Sequence, residues 1–148
     1  MISLTSLLIT FHILGVSLGL GASTVKLVLL YRCKADHDFV SIYSRVTRPI
    51  TKVIILGMVL LTLSGIGWLI IGYSLTSRLI VKIVIFAAIW ILGPVIDNVI
   101  EPRFFRLAPA TGEKGSPEFI SIMNKYMILD TIAGGLFYVI VIMWVLII

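Results

Sequence analysis

Charge is the scarcest property of this 148-residue chain. Lys and Arg number 12, Asp and Glu 7, so 13% of residues are charged, where an ordinary soluble domain has roughly 25%. Hydrophobic residues make up 59%, and the mean hydropathy is +1.15. A soluble domain of this size leaves too much surface in water to hide so many apolar side chains, so a soluble enzyme is excluded. Low charge with high hydrophobicity equally excludes a disordered chain. Cysteine is almost missing: Cys33 stands alone, which rules out a disulfide within the chain. No phosphate loop, nucleophile elbow, zinc-protease motif or dinucleotide fingerprint occurs. The net charge of +5 is explained by basic residues at membrane edges, where they set orientation and touch anionic headgroups. Nucleic acid is therefore not an expected partner.

What is present is apolar length. A bilayer core of about 30 Å needs about 20 apolar residues in a helix, and four stretches qualify, at about 4–31, 50–71, 79–100 and 127–148. The first is too long for a signal-peptide core and has no Lys or Arg before it, so it is expected to remain as a helix. The connection 32–49 is polar, with Phe39, Ile42, Tyr43 and Val46 at helical spacing. This predicts a short interfacial helix or an extension of the second span, with Pro49 at the start of the membrane part. Residues 72–78 form a tight turn. Residues 101–126 hold Pro102, Pro109, Gly112, Gly115 and Pro117, and their centre, PATGEKGSP, reads as a mobile surface loop. Loops 32–49 and 101–126, with the adjoining Lys52, carry nine Lys or Arg against Arg78 alone in the second loop. The positive-inside rule places those two loops in the cytoplasm and both termini outside. The fold class is all-α: one up-down four-helix membrane bundle, N-out and C-out, a single domain over residues 1–148 in a cell membrane.

Ionisable groups at membrane depth are costly, so each needs a reason. They are His12, Lys26, Lys82, Asp97 and Asp130. The topology sorts them into an outer layer, His12 with Lys82, and an inner layer, Lys26 with Asp97 and Asp130. At about 100° per residue, His12, Gly15, Gly19, Ser23 and Lys26 share one narrow stripe. This predicts that His12 and Lys26 point into the bundle. Gly15, Gly19 and Ser23 would let a second helix or a flat ligand approach the backbone. His12 has three readings: an axial haem ligand, a proton-transfer group, or a structural histidine bonded to a neighbouring helix. Lys82 either snorkels to the headgroups or turns inward to pair with a carboxylate such as a porphyrin propionate. Asp97 and Asp130 either pair with Lys26, Arg103 or Lys125, or act as helix caps. Copper or zinc is poorly supported, because Cys33 and His37 are loop residues with no completing ligand. Gly93–Pro94 predicts a kink before Asp97. Gly134 and Gly135 follow Asp130, and Phe137, Tyr138 and Trp144 fit an interfacial aromatic belt.

Three segments carry a resemblance. LLITFHILGVSLGLGASTVKLVLLYR, SRVTRPITKVIILGMVLLTLSGIGWLI and RLIVKIVIFAAIWIL resemble the spans of small four-helix membrane proteins in the HemJ-type protoporphyrinogen oxidase and CopD-like group, over residues 4–100. The resemblance implies a functional pair at His12 and Lys82, with haem b as ligand. The expected protein binds a tetrapyrrole (haem b or porphyrin). His12 would serve as iron ligand or proton acceptor, Lys82 as propionate or substrate partner, and Gly15 and Gly19 would border the ligand. Oxidation of protoporphyrinogen would pass electrons to a membrane acceptor such as quinone. A homo-oligomer could supply two histidines to one haem. Two other classes stand beside this: a non-enzymatic accessory or assembly subunit of a larger membrane complex, and a proton or ion path joining the two polar layers.

Overall fold

The computed structural model describes residues 3–146, with side chains as far as Trp144. The chain forms α1 (Leu4–Ala35), α2 (Phe39–Ile70), α3 (Ser77–Val95), a π-helical turn (Ile96–Ile100), α4 (Glu101–Arg106) and α5 (Pro117–Leu146). Four helical segments among the described residues are long and apolar enough to cross a membrane: α1, α2, the continuous run Ser77–Arg106, and Pro117–Trp144. The all-α four-helix membrane bundle is thus what the fold shows.

The helix ends follow local chemistry. Ser3 Oγ accepts the backbone N–H of Ser6 at 3.1 Å and caps α1. Thr76 Oγ1 does the same for Leu79 at 3.3 Å and starts α3. At α5, Ser116 Oγ accepts the N–H of Phe119 at 3.1 Å, and Pro117 occupies the first helical position, where its missing N–H costs nothing. Past the end of α2, Gly72 takes a φ of +95° that a side chain would disfavour.

Three helices run beyond the apolar stretches. Of the two expectations for 32–49, the extension of the second span is what forms: α2 begins at Phe39 and carries Pro49 inside it. The third span does not stop at Ile100 but runs through the π-turn and α4 to Arg106. The fourth starts at Pro117, not Met127. In each case helical hydrogen bonding continues past the apolar stretch, because hydropathy measures membrane depth and not helix length. Loop 107–116 is also tethered: the Gly112 N–H donates to Asp38 Oδ1 at 2.9 Å, across to the α1–α2 turn.

The helices do not share contacts evenly. α1 packs against α2 and α5, and α5 packs against α3. The α1–α2 crossing is backbone on backbone. A Cβ at Gly57 would lie 2.8 Å from Gly15 O and would collide with Gly19 N, and one at Gly15 would lie 2.9 Å from Gly57 O. Small residues at a crossing let helices gain van der Waals contact where lipid offers no hydrophobic drive. The main core lies at the end bearing the two basic loops. It includes Leu30, Cys33, Tyr43, Ile100, Phe104, Phe119, Met123 and Tyr126. A smaller cluster of Met58, Ile89 and Phe137 sits toward the other end. Outward positions such as Ile13, Val28, Val84, Ile91 and Ile128 are exposed, as a lipid-facing surface requires.

Candidate functional site: a buried charge cluster

The residues at membrane depth divide as the sequence predicted, but the two layers differ in quality. At the end away from the two basic loops, His12 Nδ1 stands 3.1 Å from Ser64 Oγ of α2. Ser64 is buried and also donates to Leu61 O at 2.9 Å. His12 itself is exposed at the rim of the bundle. This corrects the expectation that it points into the interior: α1 and α2 close on the glycines below it, and the ring is left on their seam. Lys82 is half-buried and within electrostatic reach of His12. Gly15 is covered by Leu61 and Gly57 of α2, and Gly19 by the Phe137 ring of α5 and by Gly57, so a flat ligand could border them only if these helices parted from α1.

The end bearing the two basic loops is built differently. Lys26 is 3% exposed. Its Nζ donates to Asp97 Oδ1 at 2.6 Å and to Thr51 Oγ1 at 3.2 Å, and lies 3.1 Å from Glu101 Oε2. That Glu101 oxygen also accepts from Tyr126 OH at 2.7 Å and Thr47 Oγ1 at 3.3 Å. Tyr43 OH is 2.8 Å from Tyr126 OH. The expected Lys26–Asp97 ion pair is therefore present, with Glu101 as a second carboxylate. Asp130 is 7% exposed and within electrostatic reach of Lys26, Asp97 and Glu101. Among the described residues its Oδ2 is the buried side-chain oxygen that has no hydrogen-bond partner. Asp130 is not a helix cap, because α5 begins well before it, at Pro117.

The elements explain why these groups meet. Tyr43, Thr47 and Thr51 recur every fourth residue on α2, as do Asp97 and Glu101 on the third span and Tyr126 and Asp130 on α5. Side chains at that spacing share a helix face. On the third span, Pro94 has no N–H for the ladder, and the chain answers with a π-turn. The Glu101 N–H reaches back to Ile96 O, and Asn98 Nδ2 donates to Pro94 O at 2.9 Å. π-turns inside α-helices often mark functional positions. This one carries Asp97 within it and ends at Glu101.

The partners of each group define the chemistry. Lys26 donates to Asp97 and Thr51 and forms an ion pair with Glu101, while Asp130 Oδ2 has no hydrogen-bond partner among the described residues. An isolated ionised carboxylate in a low-dielectric site is very costly and takes up a proton instead. Lys26, Asp97 and Glu101 thus form a paired unit, and Asp130 stands beside it as a buried carboxyl with one oxygen unpartnered. Among the described residues no group of three His, Cys, Asp or Glu side chains is placed to hold a metal ion.

Glu101, Tyr126, Tyr43 and Thr47 are absent from the sequence-level candidates, because they fall in the connections 32–49 and 101–126, outside the apolar stretches where ionisable groups are costly. The signal that finds them is the four-residue spacing continued beyond the hydropathy boundary. No family model matches the chain, and no curated protein or solved structure is significantly similar to it.

Proposed function

We propose that this is a multi-pass membrane protein that takes up and releases a proton at the buried cluster of Lys26, Asp97, Glu101 and Asp130, serving proton movement within or across the bilayer. The carrying observation is the surplus of carboxylates. A structural ion pair needs one acid for one lysine, whereas Lys26 faces three, and the unpartnered oxygen belongs to Asp130. Ionisable residues facing the interior of a membrane bundle are a recurrent element of proton relays. This reading develops the proton-path alternative of the sequence and places its weight on the inner layer. Infrared spectroscopy of the purified chain tests it. A protonated-carboxyl band that titrates and disappears in Asp130→Asn is expected. In proteoliposomes, Asp130→Asn and Asp97→Asn should each lower proton flux; flux equal to wild type in both variants would sink the reading.

A second reading, tetrapyrrole binding at His12, is favoured by one observation: the Nδ1 bond to Ser64. A hydrogen bond on one ring nitrogen orients an imidazole and directs the other nitrogen to a metal. The exposed ring with Lys82 in reach fits a haem or porphyrin at the rim of the bundle, with Lys82 toward a propionate. It does not fit a ligand buried against Gly15. Bound haem would supply one-electron chemistry, passed to an acceptor such as quinone, as the HemJ-type resemblance implies. A Soret band after haem supplementation that is lost in His12→Ala supports this reading, and no band at all removes it.

A further inference from the structure

We propose that Tyr126 and Tyr43 form a proton relay joining the carboxylate cluster to the end of the bundle that bears the two basic loops. The proposal rests on reading the cluster as a proton-binding site. The Tyr43 and Tyr126 oxygens are 2.8 Å apart, and Tyr126 OH is 2.7 Å from Glu101 Oε2. Three oxygens thus stand in an unbroken hydrogen-bonded row. The acceptor fixes the direction of its hydrogens. The Glu101 carboxylate only accepts, so Tyr126 donates to it, and Tyr43 in turn donates to Tyr126.

Packing alone does not account for the two hydroxyls. Both rings are fully buried among Phe104 and Phe119, with Phe104 centroids 5.4 Å from Tyr126 and 6.3 Å from Tyr43. Phenylalanine would fill the same space without a polar atom to satisfy. The row starts beneath the surface at the basic-loop end: Tyr43 is fully buried, and its α2 neighbours Val40 and Ser44 line an open-sided cavity of about 260 Å³ together with His37, Asp38 and Phe105. The Phe105 ring packs against Tyr43 at 5.9 Å.

The transfer balances. A proton arriving on the Tyr43 oxygen releases the hydrogen that Tyr43 gives to Tyr126, and Tyr126 releases its own to Glu101 Oε2. Each phenol gains one O–H bond and loses one, Glu101 becomes a carboxylic acid, and no electron moves. Glu101 then passes the proton within the cluster to ionised Asp130, which lies in its electrostatic reach; Glu101 returns to the carboxylate that Lys26 pairs, and Asp130 becomes the acid whose band exchanges. The groups facing this exchange are Lys26 from α1, Tyr43, Thr47 and Thr51 from α2, Asp97 and Glu101 from the third span, and Tyr126 and Asp130 from α5.

The test follows the carboxyl band of the full chain in lipid vesicles by infrared spectroscopy after transfer to D2O. Tyr43→Phe should slow deuterium exchange of the band by about 10²-fold, the low end of what a positioned proton donor contributes, and leave its pH titration unchanged, because Tyr43 touches no carboxylate. Tyr126→Phe should slow exchange and also shift the titration, since it removes a bond to Glu101. Tyr138 is the control: its hydroxyl pairs with Thr24 at 2.8 Å, away from the cluster, and Tyr138→Phe should leave the rate unchanged. Circular dichroism and a melting curve confirm that each variant folds. An unchanged rate in Tyr43→Phe, or equal slowing in Tyr138→Phe, overturns the relay while the proton site stands. If no Asp130-dependent band titrates, both fall.

Discussion

Lys26 faces three carboxylates at the end of the bundle that bears the basic loops, and that ratio separates the paired Asp97 and Glu101 from Asp130, whose Oδ2 is unpartnered. Lys26→Met would leave Asp97 and Glu101 buried without their cation. Breaking a buried pair from one side costs about 3–5 kcal/mol, and a loss of that order in a denaturation curve is expected. Asp97→Asn with Glu101→Gln in the same chain should recover most of it, because the unpaired charges are then gone. Asp130→Asn should behave otherwise. It replaces an acid with no donor of its own by a neutral isostere, so stability is expected to change by no more than about 1 kcal/mol, while the carboxyl infrared signal disappears. A large loss in Asp130→Asn would mean that Asp130 is a structural ion-pair member.

At the scale of the elements, the α1–α2 crossing is set by three glycines. Gly15, Gly19 and Gly57 bring two backbones together below His12 and Ser64. The space for a side chain at Gly57 is closed by backbone atoms of α1, which cannot rotate away. Gly57→Leu is therefore expected to destabilise the bundle by at least about 1–3 kcal/mol, the usual cost of overpacking. It should also shift the His12 environment, read in the imidazole NMR signals. Gly21→Leu, where nothing lies within 4 Å of the added carbon, is the matched control and should be tolerated. The small-residue stripe of α1 was legible in the sequence, but its partner Gly57 was not. Helical periodicity describes one helix at a time and carries no register between two. The same holds for the third span. Gly93–Pro94 announces an irregularity, yet only the folded chain shows a π-turn from Ile96 to Ile100 that carries Asp97 and ends at Glu101.

At the scale of the whole molecule, the polar cluster, the larger core and both basic loops occupy one end. Single cysteines placed in a Cys33→Ser background report the orientation. Thr111→Cys, in the basic loop, should be shielded from an impermeant thiol reagent added outside intact cells. Ser74→Cys, in the short loop, should be labelled. The reverse pattern would place the basic end outside and invert the direction of the relay. Four spans and the short set of costly ionisable groups follow from the sequence alone, because the cost of polar groups in hydrocarbon leaves a one-dimensional trace in hydropathy and charge. Only the tertiary structure decided which of those groups meet. It drew Glu101 and Tyr126 out of an apparent loop, and Tyr43 out of an interfacial segment, by running three helices past the apolar stretches. It set them around Lys26 and left His12 at the rim. The physical reason is that distance between helices depends on crossing geometry and register, which arise from packing of side chains far apart in the chain.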